Sequence, residues 1–149
     1  MYVKPLVTAV VSLAIGASVS LRAMAQDKFP LVAGDYWEVT GIELKDGGAL
    51  KYAEFVAGEW KANLEFSKSK GWIKDYRIFG NVHAREGEPD LYLVTIRDSL
   101  VSGAEDDKRG DEFRAWKKKT IAQMVTESGN RAEYRTVLSD ALLQELKVR

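Results

Sequence analysis

The chain has no cysteine among its 149 residues, and its single histidine is His83. The absence of cysteine excludes disulfides, thiolate metal ligands and lipid attachment at a cysteine, so packing alone has to stabilise the fold. One histidine leaves only carboxylates to complete a metal site, and Glu86, Glu88 and Asp90 lack the spacing of a calcium-binding loop. We therefore predict no metal site.

The first 25 residues have the layout of a secretory signal peptide. A basic start at Lys4 precedes an uncharged run over residues 6–21, and Ala23 and Ala25 are the small residues that a signal peptidase reads. The alternative is a retained anchor, but a spanning helix needs about 20 strongly apolar residues, and serine, threonine and glycine dilute this run. We predict cleavage, a mature domain of residues 26–149, a periplasmic or secreted bacterial protein and no stable membrane anchor afterwards.

Charge and composition indicate one ordinary globular domain. The chain is 46% hydrophobic and 30% charged. Loss of residues 1–25 removes Lys4 and Arg22 and no acid, so 20 basic side chains remain against 22 acidic ones. A nucleic-acid binder needs a basic face to replace the counterions of the phosphates, so this class is excluded.

The order of apolar periodicities predicts strand, helix, strand, strand, helix, strand. The segment 98–110 is expected to be a mobile loop, and residues 141–146 a short apolar tail. The strands are predicted at 35–44, 72–83, 90–97 and 132–139, and the helices at 49–70 and 111–128.

This order predicts an α+β, ferredoxin-like βαββαβ fold, with a four-stranded antiparallel sheet and both helices on one face. In the third strand, Leu91 and Leu93 face one side, and Tyr92, Val94 and Ile96 face the other. A sheet with one wet face should alternate apolar and polar residues. Since both faces are apolar, the second face is expected to be covered by a second copy of the chain.

The strand DYWEVTGIEL, the helix with Glu59 and Trp60, the segment GWIKDYRIFG and the strand DLYLVTI resemble the dimeric α+β barrel superfamily, near the small NIPSNAP-like proteins. The resemblance covers residues 35–146. It implies a homodimer of ferredoxin-like protomers and a pocket between sheet and helices. It implies no single activity, because the superfamily includes haem-degrading and quinone-forming monooxygenases, isomerases and proteins without known activity.

His83 is the first candidate for chemistry. It is placed at the end of the second strand, with Glu43, Tyr52, Gln123 and Glu133 as expected neighbours, where a carboxylate would make it a general base. The alternative is a half-exposed residue without a role. The resemblance leaves axial haem ligation possible, with His83 as the only candidate ligand, but we do not predict it. The haem-degrading activity is not carried over, because those members combine Asn, Trp and His in one pocket, and Trp37 would lie about 20 Å from His83 along the sheet, at about 3.3 Å per residue.

A cluster of aromatic residues and one cation is the second candidate. A flat ligand could stack on the rings while Arg97 binds an acid group; the alternative is a packed core and dimer interface. The favoured function is binding of a small aromatic or lipidic ligand, and the alternatives are a cofactor-independent monooxygenase or isomerase using His83 or Tyr76 and a purely structural dimer. The cluster consists of Tyr36, Trp37, Trp72, Tyr76 and Arg97.

Overall fold

The computed structural model describes residues 28–149. The predicted signal peptide lies outside the described residues. The segment Ala33–Lys147 forms one compact unit, and the remaining described residues, at the two ends of the chain, belong to a second unit. In that second unit the backbone N–H of Arg149 donates to the carbonyl of Pro30. None of the helices in residues 28–149 combines the length and apolar character needed to cross a membrane.

Within residues 28–149, four strands and four α-helices follow one another in an α+β order. A π-helical turn (Val56–Trp60) joins the first two helices, and a 3-10 turn (Arg131–Glu133) precedes the last strand. The elements are β1 (Leu31–Leu44), α1 (Ala49–Phe55), α2 (Lys61–Ser69), β2 (Asp75–Gly80), β3 (Leu91–Arg97), α3 (Gly103–Lys117), α4 (Ile121–Asn130) and β4 (Arg135–Val148).

The strands form a four-stranded antiparallel sheet in the order β2-β3-β1-β4. The predicted pairing of the second and third strands is confirmed, with Ile78 opposite Leu93. β1 also pairs antiparallel with β3, with Tyr36 opposite Arg97. This order is compatible with the ferredoxin-like arrangement, so the prediction of an α+β fold with this sheet is confirmed.

The helix predicted at 49–70 is present, but one turn of it is π-helical. The π-helical turn runs from Val56 to Trp60 and continues directly into α2. Gly71 follows the helix with a φ of 69°, the left-handed conformation that glycine adopts without steric cost. The turn carries Glu59 and Trp60, both of which contact other elements of the fold.

The segment 98–110 was wrongly predicted as a loop, because its second half is helical. The Ser102 side chain caps α3 by accepting from the N–H of Glu105. The predicted helix 111–128 is in fact divided: Lys118 is left-handed with a φ of 51°, and Thr120 begins α4 in a capping box with Gln123.

The last strand is also longer than predicted. The segment 141–146, expected as a tail, belongs to β4, which runs alongside β1. The backbone N–H of Lys45 donates to the carbonyl of Tyr134 at the start of this pairing. β4 is an edge strand, and several of its apolar side chains are exposed: Val137, Leu138, Leu142, Leu143 and Leu146.

The core lies between α1 and the middle of the sheet, where Tyr52 and Val56 pack on Ile42 and Leu93. On the opposite face of β3, Val94 and Ile96 are also buried, and they are buried within the single chain. The cover of this face by a second copy stays a prediction. The second strand was predicted to cover residues 72–83 and to be buried on both faces, and this prediction was wrong. β2 ends at Gly80, and its side chains Ile78 and Phe79 are about half exposed, because β2 is the other edge of the sheet.

Candidate functional site

A cavity of about 250 Å³ lies where the end of β3, the segment after α2 and the middle of α3 meet. The α3 residues on its wall belong to the segment that was expected to be a loop or the start of a helix. The wall consists of Ser67, Trp72, Ile73, Arg97, Val101, Asp106, Arg109, Gly110 and Phe113. We refer to it as the β3–α3 cavity.

Two aromatic side chains, Trp72 and Phe113, line the β3–α3 cavity and belong to a cluster of four rings. Phe66 stacks on Trp116 with ring centroids 4.4 Å apart and meets Trp72 edge-on at 5.4 Å. Phe113 lies 5.9 Å from the Phe66 ring. These four rings join α2, the segment after it and α3, so they hold Trp72 and Phe113 in place.

Arg97 enters the cavity from the end of β3. Its Nη2 donates to Oε2 of Glu38 on β1 over 2.5 Å. Its Nε is buried and has no hydrogen-bond partner among residues 28–149. A buried N–H without a hydrogen-bond partner costs stability.

Arg109 enters the cavity from α3. Its guanidinium carbon lies 5.8 Å from the centre of the Trp72 ring, and its Nε donates to Glu105 over 2.8 Å. The same hydrogen bond keeps the pKa of Glu105 below its ordinary value, so this carboxylate stays charged and holds the guanidinium. The cavity therefore contains two fixed cations beside an aromatic wall.

A second cavity of about 250 Å³ shares Arg97 with the first. It lies toward β4, and it is lined by two carboxylates, Glu38 and Asp140, with the apolar side chains of Leu100 and Leu142. The Arg97 side chain thus lies between two cavities. The charged residues that line the first are mainly basic, and those that line the second are mainly acidic.

The predicted ligand cluster is divided by the sheet. Trp72 and Arg97 line one cavity, and Tyr36 pairs with Arg97 on the same face. Trp37 points to the opposite face, where it borders a shallow hollow with Leu143. Its indole Nε1 is buried and finds no hydrogen-bond acceptor in the described chain.

Tyr76 contacts the helices outside the cavity. Its ring meets Trp60 edge-on at 5.4 Å, and its hydroxyl donates to Glu65 over 2.5 Å. This hydrogen bond to a carboxylate raises the pKa of Tyr76. Since a raised pKa disfavours the phenolate, the geometry does not prepare Tyr76 to act as a base near neutral pH.

His83 lies in the loop after β2, not in the strand. Its backbone N–H donates to the side chain of Asn81. Two of its expected neighbours bond elsewhere: Glu133 pairs with Lys51, and Gln123 caps α4. Across the sheet, Trp37 is level with Asp75 at the start of β2, and His83 lies beyond the other end of that strand.

Sequence reasoning missed Arg109, Phe113 and Gly110 as parts of one wall. Phe113 was expected on an apolar helix face, but Arg109 and Gly110 fell in the predicted loop, where their orientation could not be foreseen. The usable signal was Ser102 followed three residues later by Glu105, which is a helix start.

No group of three or more potential metal ligands occurs within residues 28–149. In comparisons with known proteins, the chain matched no family model, no curated protein and no solved structure.

Proposed function

We propose that this protein binds a small organic ligand in the β3–α3 cavity. The observation that carries the proposal is the joint presence of Trp72, Phe113 and two guanidinium groups around one space of about 250 Å³. Ligand sites are concave and mostly apolar, with a few polar groups that fix orientation. The volume is slightly below the usual range, about 300–1,000 Å³, so a ligand of one or two rings is favoured.

We also propose that the protein is an exported member of the dimeric α+β barrel superfamily and that two copies associate. The compatible strand order supports the superfamily, and the exposed apolar residues of β4 support association. No specific observation favours an enzyme, because His83 and Tyr76 both lie outside the cavity.

Thermal shift of the purified protein against a panel of one-ring and two-ring organic compounds tests ligand binding. A ligand that binds the folded state and not the unfolded state raises the melting temperature by mass action. We expect members of the panel to raise it in the wild type but not in Gly110→Leu, whose added side chain borders the cavity. A panel that leaves the wild-type melting temperature unchanged would contradict the proposal.

A further inference from the structure

We propose that the ligand class of the β3–α3 cavity is an aryl carboxylate, with its acid group bound between Arg97 and Arg109 and its ring against Trp72 and Phe113. This inference rests on the proposed function and specifies its chemistry. The guanidinium N–H groups on the wall are suited to donate to a carboxylate, and the aromatic side chains are suited to pack against a ring.

The donors on Arg97 are not all used by the protein. A guanidinium carries five N–H donors in a plane, and Arg97 bonds Glu38 through Nη2 alone. Its buried Nε–H is left without an acceptor in the part of the chain that the structure describes. Since the Arg97 side chain as a whole is 29% exposed while its Nε is buried, a carboxylate in the cavity would accept from the remaining Nη N–H groups and not from Nε.

Arg109 offers a second set of donors on the facing wall. Its bond to Glu105 uses Nε, and the hydrogen bonds within residues 28–149 leave both of its Nη groups without an acceptor. Its side chain is 25% exposed, so it is partly shielded from water. Such shielding strengthens a charge-assisted hydrogen bond relative to one at the open surface.

The charges distinguish this cavity from its neighbour. The β3–α3 cavity is lined by two guanidinium groups and one carboxylate, Asp106. The cavity toward β4 is lined by one guanidinium group and two carboxylates, Glu38 and Asp140. The lining of the β3–α3 cavity therefore carries more positive charge than that of its neighbour, although Arg97 and Arg109 are each paired with a carboxylate, Glu38 and Glu105.

The ring is specified by the aromatic wall. Trp72 and Phe113 belong to a cluster in which four rings contact one another, so their positions are fixed before a ligand enters. A rigid aromatic ligand gains burial against such a wall and loses little conformational freedom. A flexible fatty acid would lose more freedom in the same volume.

Calorimetric titration of the purified protein with 2-naphthoate and 2-naphthamide tests the inference. The two probes share the ring system and differ in charge. We expect 2-naphthoate to bind more tightly, and we expect added salt to reduce its affinity, because part of the attraction is between charges. Octanoate, which keeps the charge and lacks the ring, is expected to bind more weakly than 2-naphthoate.

Variants test whether the two arginines cause the preference for 2-naphthoate over 2-naphthamide. We expect Arg97→Gln and Arg109→Gln each to weaken 2-naphthoate binding about tenfold, the usual effect of losing one charge-assisted hydrogen bond, and to leave 2-naphthamide binding little changed. Glu38→Gln should strengthen 2-naphthoate binding, because it removes the charge that competes for Arg97. Arg114→Gln is the matched control, since Arg114 pairs with Asp111 on the same helix and does not line the cavity.

The outcomes separate this inference from the proposed function. If 2-naphthamide binds as tightly as 2-naphthoate, or if Arg114→Gln weakens binding as much as Arg97→Gln, the assignment of the carboxylate is overturned while ligand binding stands. If neither probe binds and the compound panel also gives no thermal shift, the proposed function fails, and this inference fails with it.

Discussion

Arg97 on β3 and Glu38 on β1 are joined by a 2.5 Å hydrogen bond that runs diagonally across the sheet, because Arg97 itself is paired with Tyr36. The bond fixes the guanidinium at the boundary between two cavities. Since only Nη2 takes part, the carboxylate orients Arg97 without exhausting its donors. These remaining donors are the reason that we propose an anion in the space beside Arg97.

Glycine at position 110 predicts how the cavity wall responds to substitution. A Cβ there would meet only the flexible end of Arg114, with the nearest atom 3.1 Å away. Gly110→Ala should therefore stabilise the fold by up to about 1 kcal/mol through helix propensity. The contrasting variant is Gly71→Ala, which should destabilise by about 1 kcal/mol because φ is 69°. Urea denaturation measures both, and a loss of stability in Gly110→Ala would contradict the described wall.

The ion pair between Glu59 and Lys117 predicts a dependence of stability on pH. Lys117 is 9% exposed, and its Nζ lies 2.7 Å from Oε1 of Glu59. This hydrogen bond is the main reason that the pKa of Glu59 is lowered. A lowered folded-state pKa gives stability that is present above the unfolded-state pKa, near 4.5, and is lost as the pH falls through the folded-state pKa.

Glu59→Gln should therefore be less stable than the wild type at pH 7, by about 1 kcal/mol or less because Glu59 is partly exposed. The difference should shrink as the pH falls below 4.5. Urea midpoints at several pH values measure it. Glu54→Gln, at an exposed position in the preceding helix, is the control and should show no such trend. A difference that persists unchanged in acid would show that the pair is not the cause.

The buried hydroxyl of Tyr52 indicates that its removal in Tyr52→Phe will not destabilise the core. Tyr52 is 1% exposed, and its hydroxyl finds no partner within residues 28–149. Because a buried unpaired hydroxyl costs about 1–3 kcal/mol, Tyr52→Phe should be neutral or stabilising by about 1 kcal/mol. Thermal unfolding measures the effect, and a loss above about 1 kcal/mol would imply a partner for the hydroxyl.

Tyr52 also predicts how the stability of the fold changes at alkaline pH. Burial raises the pKa of Tyr52 to about 12. The neutral phenol is favoured in the folded state, so its contribution is complete below the unfolded-state pKa of 10.0 and is lost as the pH rises toward 12. The wild type should lose stability relative to Tyr52→Phe over that interval. Parallel stability curves for the two proteins would contradict this.

The edge strand β4 predicts self-association. Leu143 is 54% exposed on this strand and lies beside Trp37, on the sheet face opposite the core of Ile42 and Leu93. This is the face that the proposed second copy would cover. Light scattering at micromolar concentration should give the mass of a dimer for the wild type and of a monomer for Leu143→Asp. Val82→Asp, at an 86% exposed loop position, is the control and should remain a dimer. A monomeric wild type would remove the proposal that two copies associate.

Periodicity predicted the element order and the antiparallel pairing of β2 with β3. It failed for the start of α3, because the segment GAEDDKRG has no apolar stripe and is stabilised by the Ser102 cap and the Glu105–Arg109 pair. It also failed for the end of β4, where ALLQEL is strand because β1 is long enough to pair with it. The sequence predicted that Trp72 and Arg97 belong to one site. It did not predict Arg109 there, because residue 109 was assigned to a loop and not to α3.

The most direct test of the central claim uses the four tryptophan side chains as reporters. Trp72 lines the β3–α3 cavity, and Trp37 borders a separate hollow on the other face of the sheet. In a nitrogen–proton correlation NMR spectrum, titration with 2-naphthoate should shift the indole signal of Trp72 and leave that of Trp37 in place. A shift of Trp37 without Trp72, or no shift of either, would contradict ligand binding in the β3–α3 cavity.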